Sequence, residues 1–275
     1  PVPSSAASDV YKRQQQRRNT MPLEILTIPC LTDNYAYIAH DADTGETLVI
    51  DVPEAGPVMA ALTQRGWTLS HVLLTHHHAD HVDGLDPLLK VHPAKVIGAA
   101  ADAYRLPALD LAVSEGDTIA IGGYRGEIMD VSGHTLGHIA LHFPQAQAAF
   151  TADSLMALGC GRLFEGSPQV MFQSLAKLAA LPPQTWVYSG HEYTANNLKF
   201  AFSIEPDNAR LISRGEKITA AGKIGLPTVP ELLSEELATN PFLRSHTAEV
   251  RKAVGMEHAE DWQVFAKIRT LKDGF

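Results

Sequence analysis

Seven residues constrain this chain more than any other stretch: Thr75-His76-His77-His78-Ala79-Asp80-His81. The apolar run His71-Val72-Leu73-Leu74 precedes them and reads as a buried strand. Val82, Leu85, Leu88 and Leu89 follow at helical spacing, so a helix is predicted to start there and run towards Lys90. The heptad therefore occupies a strand-to-helix turn, the position where open α/β folds carry their sites. His76 and His78 are two residues apart and project to one side of an extended strand end. Asp80 and His81 follow as the backbone curls, while His77 alternates away and is left outside the ligand set. Imidazole and carboxylate are the donor set of Zn, Mn and Fe sites, so H-x-H-x-D-H offers two ligands to each of two ions.

Three later turns supply what this motif lacks. Asp130-Val131-Ser132-Gly133-His134-Thr135 places a histidine in a tight turn after a strand-like run. Phe150-Thr151-Ala152-Asp153-Ser154 ends a strand on an aspartate, and Ser189-Gly190-His191-Glu192 ends one on a histidine. One ion would then have His76, His78 and His134, the other Asp80, His81 and His191, and Asp153 could bridge the pair. A ligating imidazole usually donates its other N–H to a carboxylate or carbonyl, and Asp51, at the end of its strand, is the candidate partner for one of the histidines.

The remaining chain bounds the architecture. At 275 residues it can bury one large core or a main domain with an appendage. A net charge of −9 argues against a general nucleic-acid binder, and no apolar run is long enough to span a bilayer. Two cysteines, Cys30 and Cys160, imply no disulfide framework. Residues 1–20 are polar and aperiodic, without the apolar core of a secretory signal, and are expected to be a disordered or non-native leader ahead of Met21. Strand-like runs and helices alternate through residues 21–193, with strands predicted at 23–28, 35–39, 47–51, 71–74, 95–98, 138–143, 148–151 and 186–189 and further strand pattern around 119–129. From 194 to 275 the strand-like runs vanish and five helical segments follow, so an α/β domain with a C-terminal helical domain is expected.

At these residues the chain resembles the metallo-β-lactamase superfamily, and within it glyoxalase II (hydroxyacylglutathione hydrolase). Thr32-Asp33-Asn34-Tyr35, the run Gly159-Cys160-Gly161-Arg162-Leu163-Phe164-Glu165-Gly166, and Ser189-Gly190-His191-Glu192-Tyr193-Thr194 carry the resemblance. Asn240-Pro241-Phe242-Leu243-Arg244 and Arg269-Thr270-Leu271-Lys272-Asp273 extend it to the end of the chain. It implies an αββα sandwich, with the metals at one edge of its sheets, followed by the helical domain. It implies two divalent ions, zinc first with iron or manganese as alternatives, and hydrolysis of S-D-lactoylglutathione by a metal-bridging hydroxide, in methylglyoxal detoxification. Asp80 and Asp153 would hold metal and orient that nucleophile. Substrate contacts map onto Arg162, Phe164, Tyr193, Arg269 and Lys272, the last two spaced i, i+3 so that both could clamp one anionic group. Some family members have Lys and Tyr where Arg162 and Phe164 stand here, so Phe164 offers an apolar contact without a hydroxyl. Cys160 is expected to be structural. The expected partner is a small glutathione thioester, not nucleic acid or membrane, and the expected state is a cytoplasmic monomer. A lactonase or β-lactamase is the nearest rival, weighed against by the helical tail. A one-iron persulfide dioxygenase is a second, weighed against by Asp80, His81 and His191 together; a non-catalytic metal-binding scaffold is a third.

Overall fold

The computed structural model describes residues 23–275, and the expectation for the leader lies outside them. The described chain divides into two compact units, one made of 23–131 with Leu136–Ala152 and the other of Ser132–Thr135 with Asp153–Phe275.

In the first unit β1 (Leu23–Cys30), β2 (Asn34–Asp41) and β3 (Thr47–Ile50) form an antiparallel meander. Helix α1 (Ala55–Arg65) crosses to β4 (His71–Leu74), which pairs parallel with β3. Two short helices, α2 (Ala79–Val82) and α3 (Leu85–Val91), lead to β5 (Lys95–Ala99) and the edge strand β6 (Leu111–Val113), giving the order β1-β2-β3-β4-β5-β6. Val72, Leu73 and Leu74 are wholly buried because a parallel strand is covered on both faces. Val58 and Leu62 of α1 pack with Leu85 and Leu88 against Ile38, Val49, Val72 and Leu74. A second set of strands, β7 (Thr118–Ile121), β8 (Tyr124–Asp130), β9 (Ile139–Phe143) and β10 (Ala148–Ala152), is antiparallel throughout. Tyr37 of β2 meets Phe150 of β10 at 5.5 Å between ring centroids, so aromatic packing joins the two sets of strands.

The second unit holds the hairpin β11 (Leu155–Met156) and β12 (Gly159–Cys160), helix α4 (Pro168–Ala179) and β13 (Trp186–Ser189). After these come α5 (Thr194–Ile204), α6 (Ala209–Lys223), β14 (Glu231–Leu232), α7 (Leu233–Thr239), α8 (Ala248–Ala253) and α9 (Asp261–Asp273). Leu198, Ala201, Leu211 and Ile218 of α5 and α6 bury Leu158, the residue between the hairpin strands.

Three elements differ from the sequence reading. The helix predicted after the histidine motif is interrupted, because Val52 donates to the carbonyl of His81 at 2.8 Å and accepts from the Gly84 N–H at 2.9 Å. Those bonds draw backbone groups away from a continuous helical ladder. β6 carries no apolar alternation, since Leu111 and Ala112 are exposed at a sheet edge. β14 falls where only helix was expected; its two residues pair with Trp186 and Val187, a partnership that no local pattern announces.

Candidate metal centre

In the first unit the site grows from parallel strand ends. β3 and β4 run side by side with Ile50 opposite Leu73, so the residues that follow them leave the sheet at the same edge. Asp51, with φ at 55°, turns its carboxylate back to the loop after β4. Its Oδ1 accepts the Thr75 N–H at 2.8 Å, and its Oδ2 accepts the Thr75 hydroxyl at 2.8 Å and His81 Nδ1 at 2.8 Å. Thr75 Oγ1, having donated its proton, is left to accept from His76 Nδ1 at 3.0 Å. Both buried histidines thus spend Nδ1–H on a protein acceptor and keep Nε2 as the lone-pair nitrogen. The carboxylate partner expected at Asp51 is found, and it serves His81.

Ligand-type atoms of Asp51, His76 and His81 lie within 4.8 Å of one another. His76 Nε2 stands 3.1 Å from His78 Nδ1. A tetrahedral ion at about 2.0–2.1 Å from each nitrogen would separate neighbouring ligands by about 3.3–3.4 Å, so this pair is spaced as one edge of a coordination shell. Asp80 lies 3.8 Å from His81 Nε2 through Oδ2. The Asn34 amide donates to that same oxygen and to the Asp80 carbonyl, each at 3.0 Å, which fixes the carboxylate's direction.

The second unit carries the other donors. Asp153 Oδ2 is 3.4 Å from His134 Nε2 and 3.3 Å from His191 Nε2. His134 Nδ1 donates to the Arg162 carbonyl at 2.8 Å; a carbonyl only accepts, which sets the tautomer and makes Nε2 the lone-pair nitrogen. Gly161 lets the chain pass this close, for a Cβ there would sit 2.0 Å from the Asp153 carbonyl oxygen. The exposed ring of Phe164 meets His134 edge-on at 5.2 Å, and Tyr193 stacks flat on His191 at 4.6 Å. These residues fit metal by donor chemistry and by spacing.

The basic pair near the C-terminus is not one exposed clamp. Arg269 is 5% exposed and committed inward: it donates to the Cys160 carbonyl at 2.9 Å, pairs with Asp273 at 2.9 Å and lies 5.1 Å from the Phe242 ring centroid. Equal i, i+3 spacing puts both residues on one helix side, but Arg269 meets buried β12 while Lys272 lies nearer the helix end. Lys272 is half-buried, reaching the Asn196 carbonyl at 3.4 Å. Burial, with Arg269 and Arg162 nearby, lowers its pKa. Arg162 is exposed. Burial pushes the Cys160 thiol up to about 11, which suits a structural residue rather than a nucleophile.

Two family models match in tandem: the metallo-beta-lactamase superfamily over residues 32–191 and the hydroxyacylglutathione hydrolase C-terminus over 192–275. The hydroxyacylglutathione hydrolase of Cereibacter sphaeroides is 60% identical across 93% of this chain and 100% of its own. That of Jannaschia sp. is 62% identical across 92% of this chain and 98% of its own. The chain belongs to the hydroxyacylglutathione hydrolase family. The crystal structure of the BLEG-1 B3 metallo-beta-lactamase, 19% identical, superposes with a TM-score of 0.62 over 80% of this chain and 99% of that one. It supports the fold, an α/β metallo-β-lactamase-like architecture carrying a C-terminal helical domain, as expected. Among the described residues no helix is long and apolar enough to cross a membrane.

Sequence reasoning missed Thr75 as a relay, Asn34 as the brace of Asp80 and the Arg162 carbonyl as the brace of His134. Asn34 was visible only as part of a family block. A backbone carbonyl leaves no signal in a sequence.

Proposed function

We propose that the chain hydrolyses S-(2-hydroxyacyl)glutathione, S-D-lactoylglutathione above all, to a 2-hydroxy acid and glutathione, in methylglyoxal detoxification. The relatives' shared name and full-length coverage support this substrate. Residues 21–193 would be the catalytic domain and 194–275 the substrate-binding domain. In this reading His76, His78 and His134 hold one divalent ion, and Asp80, His81 and His191 hold the other. Asp153 would be the ligand shared between them. The observation that carries it is the placement of Asp153 Oδ2, at nearly equal distance from His134 Nε2 and His191 Nε2, as a shared ligand requires. Zinc is the first expectation and iron or manganese fit the same donors. Bound there, such ions would supply Lewis-acid polarisation of the thioester carbonyl and a water acidic enough to react near neutral pH.

The chain's own residues do the rest. Asp80, braced by Asn34, and Asp153 orient the attacking water by accepting hydrogen bonds. As a C–O bond forms at the acyl carbon the water gives up its protons to solvent; the C–S bond breaks, the acyl group departs as a carboxylate, and the sulfur leaves as glutathione thiolate, which takes one proton back from solvent. Arg162 and Lys272 attract the peptide's carboxylates, and Tyr193 offers a hydroxyl beside His191. Arg269 acts through Cys160, holding the segment that leads to Arg162. Phe164, 63% exposed, gives apolar contact only.

The test is hydrolysis of S-D-lactoylglutathione with metal analysis of the same sample. Turnover with about two metal equivalents is expected. Cleavage of a lactone or β-lactam with the thioester left intact would overturn the reading. One bound iron without hydrolysis would favour the dioxygenase.

A further inference from the structure

His77 stands between two proposed ligands; its ring meets that of His78 edge-on at 5.0 Å, and its Nδ1 meets a buried carboxylate. His77 Nδ1 lies 2.9 Å from Asp102 Oδ2, and Asp102 is wholly buried in the short turn after β5. The other oxygen, Oδ1, accepts from Arg105 Nε, and Arg105 Nη2 reaches the Leu136 carbonyl at 2.9 Å. A buried carboxylate is tolerable only when paired, and here both oxygens are. Asp102 also packs on the turn that Arg105 reaches: a Cβ on Gly137, at φ +87°, would come within 2.9 Å of the Asp102 Cβ. The next residue, His138, stacks on His76 with ring centroids 4.6 Å apart and planes 17° apart. One side chain therefore ties together three segments: the histidine loop, its own turn and the turn beneath His76. All of them belong to one compact unit.

We propose that Asp102, acting through His77 and Arg105, is a positioning residue that sets the separation of His76 Nε2 and His78 Nδ1 for the metal; this rests on the metal reading above. Two ligands on a loop bind an ion tightly only if the loop is held at the spacing of a coordination edge before the ion arrives. Asp51 and Thr75 hold the strand-side end of that loop. Asp102 holds its middle through His77, whose ring rests edge-on against His78. The role is separate from binding the ion and from touching the substrate.

The experiment measures metal affinity by chelator competition in the wild type, His77→Ala, Asp102→Asn and the double variant, alongside kcat, KM and thermal midpoint. His77→Ala is the safer disruption, since its side chain is 18% exposed and leaves the Asp102–Arg105 pair in place. Each single variant is expected to bind metal about 10–100-fold more weakly. In excess metal kcat is expected to recover, with KM for the thioester unchanged. The double variant should bind no more weakly than the weaker single, because both changes cut one connection. His77→Gln, which keeps a donor, should restore part of the affinity. Metal affinity within twofold of wild type in His77→Ala, or additive losses in the double variant, would overturn the proposal. A wild type that binds no metal would instead overturn the reading on which it rests.

Discussion

Asp51 sits in left-handed backbone, a conformation Asp and Asn adopt at less strain than other side chains. Asp51→Asn therefore leaves the turn intact while placing an amide N–H₂ where His81 Nδ1–H or Thr75 needs an acceptor. The expected outcome is a shifted His81 tautomer, with Nε2 protonated, and metal affinity lower by about 10–100-fold. Metal analysis across a chelator series checks this, and unchanged affinity would refute it. Lys272 gives a pH dependence. Its depressed pKa, from burial and the nearby guanidinium groups, means that it loses its charge at lower pH than an ordinary lysine. In the substrate-binding role proposed for Lys272, attraction for an anionic thioester falls as pH rises on the alkaline side, so KM is expected to rise. Lys272→Arg, which stays charged, should hold KM flat over the same range. At this scale the imidazoles and carboxylates that could bind metal were legible from chemistry and spacing. The acceptor each one leans on was legible only at Asp51, because hydrogen-bond partners 24 or 30 residues apart leave no local pattern.

Elements in the helical unit are joined by a polar cluster that the sequence does not advertise. Glu236 of α7 accepts from Arg214 of α6, from the Leu158 N–H at 2.9 Å and from the Asn240 amide at 3.0 Å. Asn240 also donates to the Met156 and Gly159 carbonyls, so the cluster fastens hairpin β11–β12 to the helices. Arg214 and Glu236 are both buried. Glu236→Gln removes the nearer of the two carboxylates that face Arg214, leaving Glu231 at 4.0 Å, and turns one backbone N–H towards a donor. A loss of about 3–5 kcal/mol is expected, read as a lower urea midpoint; a loss below about 1 kcal/mol would show that the pair contributes no more than an exposed one. Strands such as β4 and β13 were read to the residue because buried runs of β-branched and aromatic residues declare themselves. β6, β11, β12 and β14 were not, since strands of two or three residues exist only through their partners.

For the whole molecule the metal is a further expected lever on stability. A ligand that binds only the folded chain and is held at about 100 times its Kd adds about 2.7 kcal/mol. Chelation should therefore abolish hydrolysis and lower the thermal midpoint by about 5–10 °C, and re-added zinc, iron or manganese should restore both. A chelated protein with an unshifted midpoint and full activity would remove the metal from the account. The sequence by itself determined the fold class, the order of most elements, the candidate ligands and the family. The fold class and element order are carried by local periodicity, the candidate ligands by residue types in turns that follow strand-like runs, and the family by resemblance across several motif blocks. The tertiary structure alone decided which histidine Asp51 orients, that Arg269 is buried against Cys160 while Lys272 stays half-buried, and that a buried aspartate grips the residue between two proposed ligands. Those depend on contacts between segments far apart in the chain, where burial and hydrogen-bond geometry are set by packing rather than by neighbours in sequence.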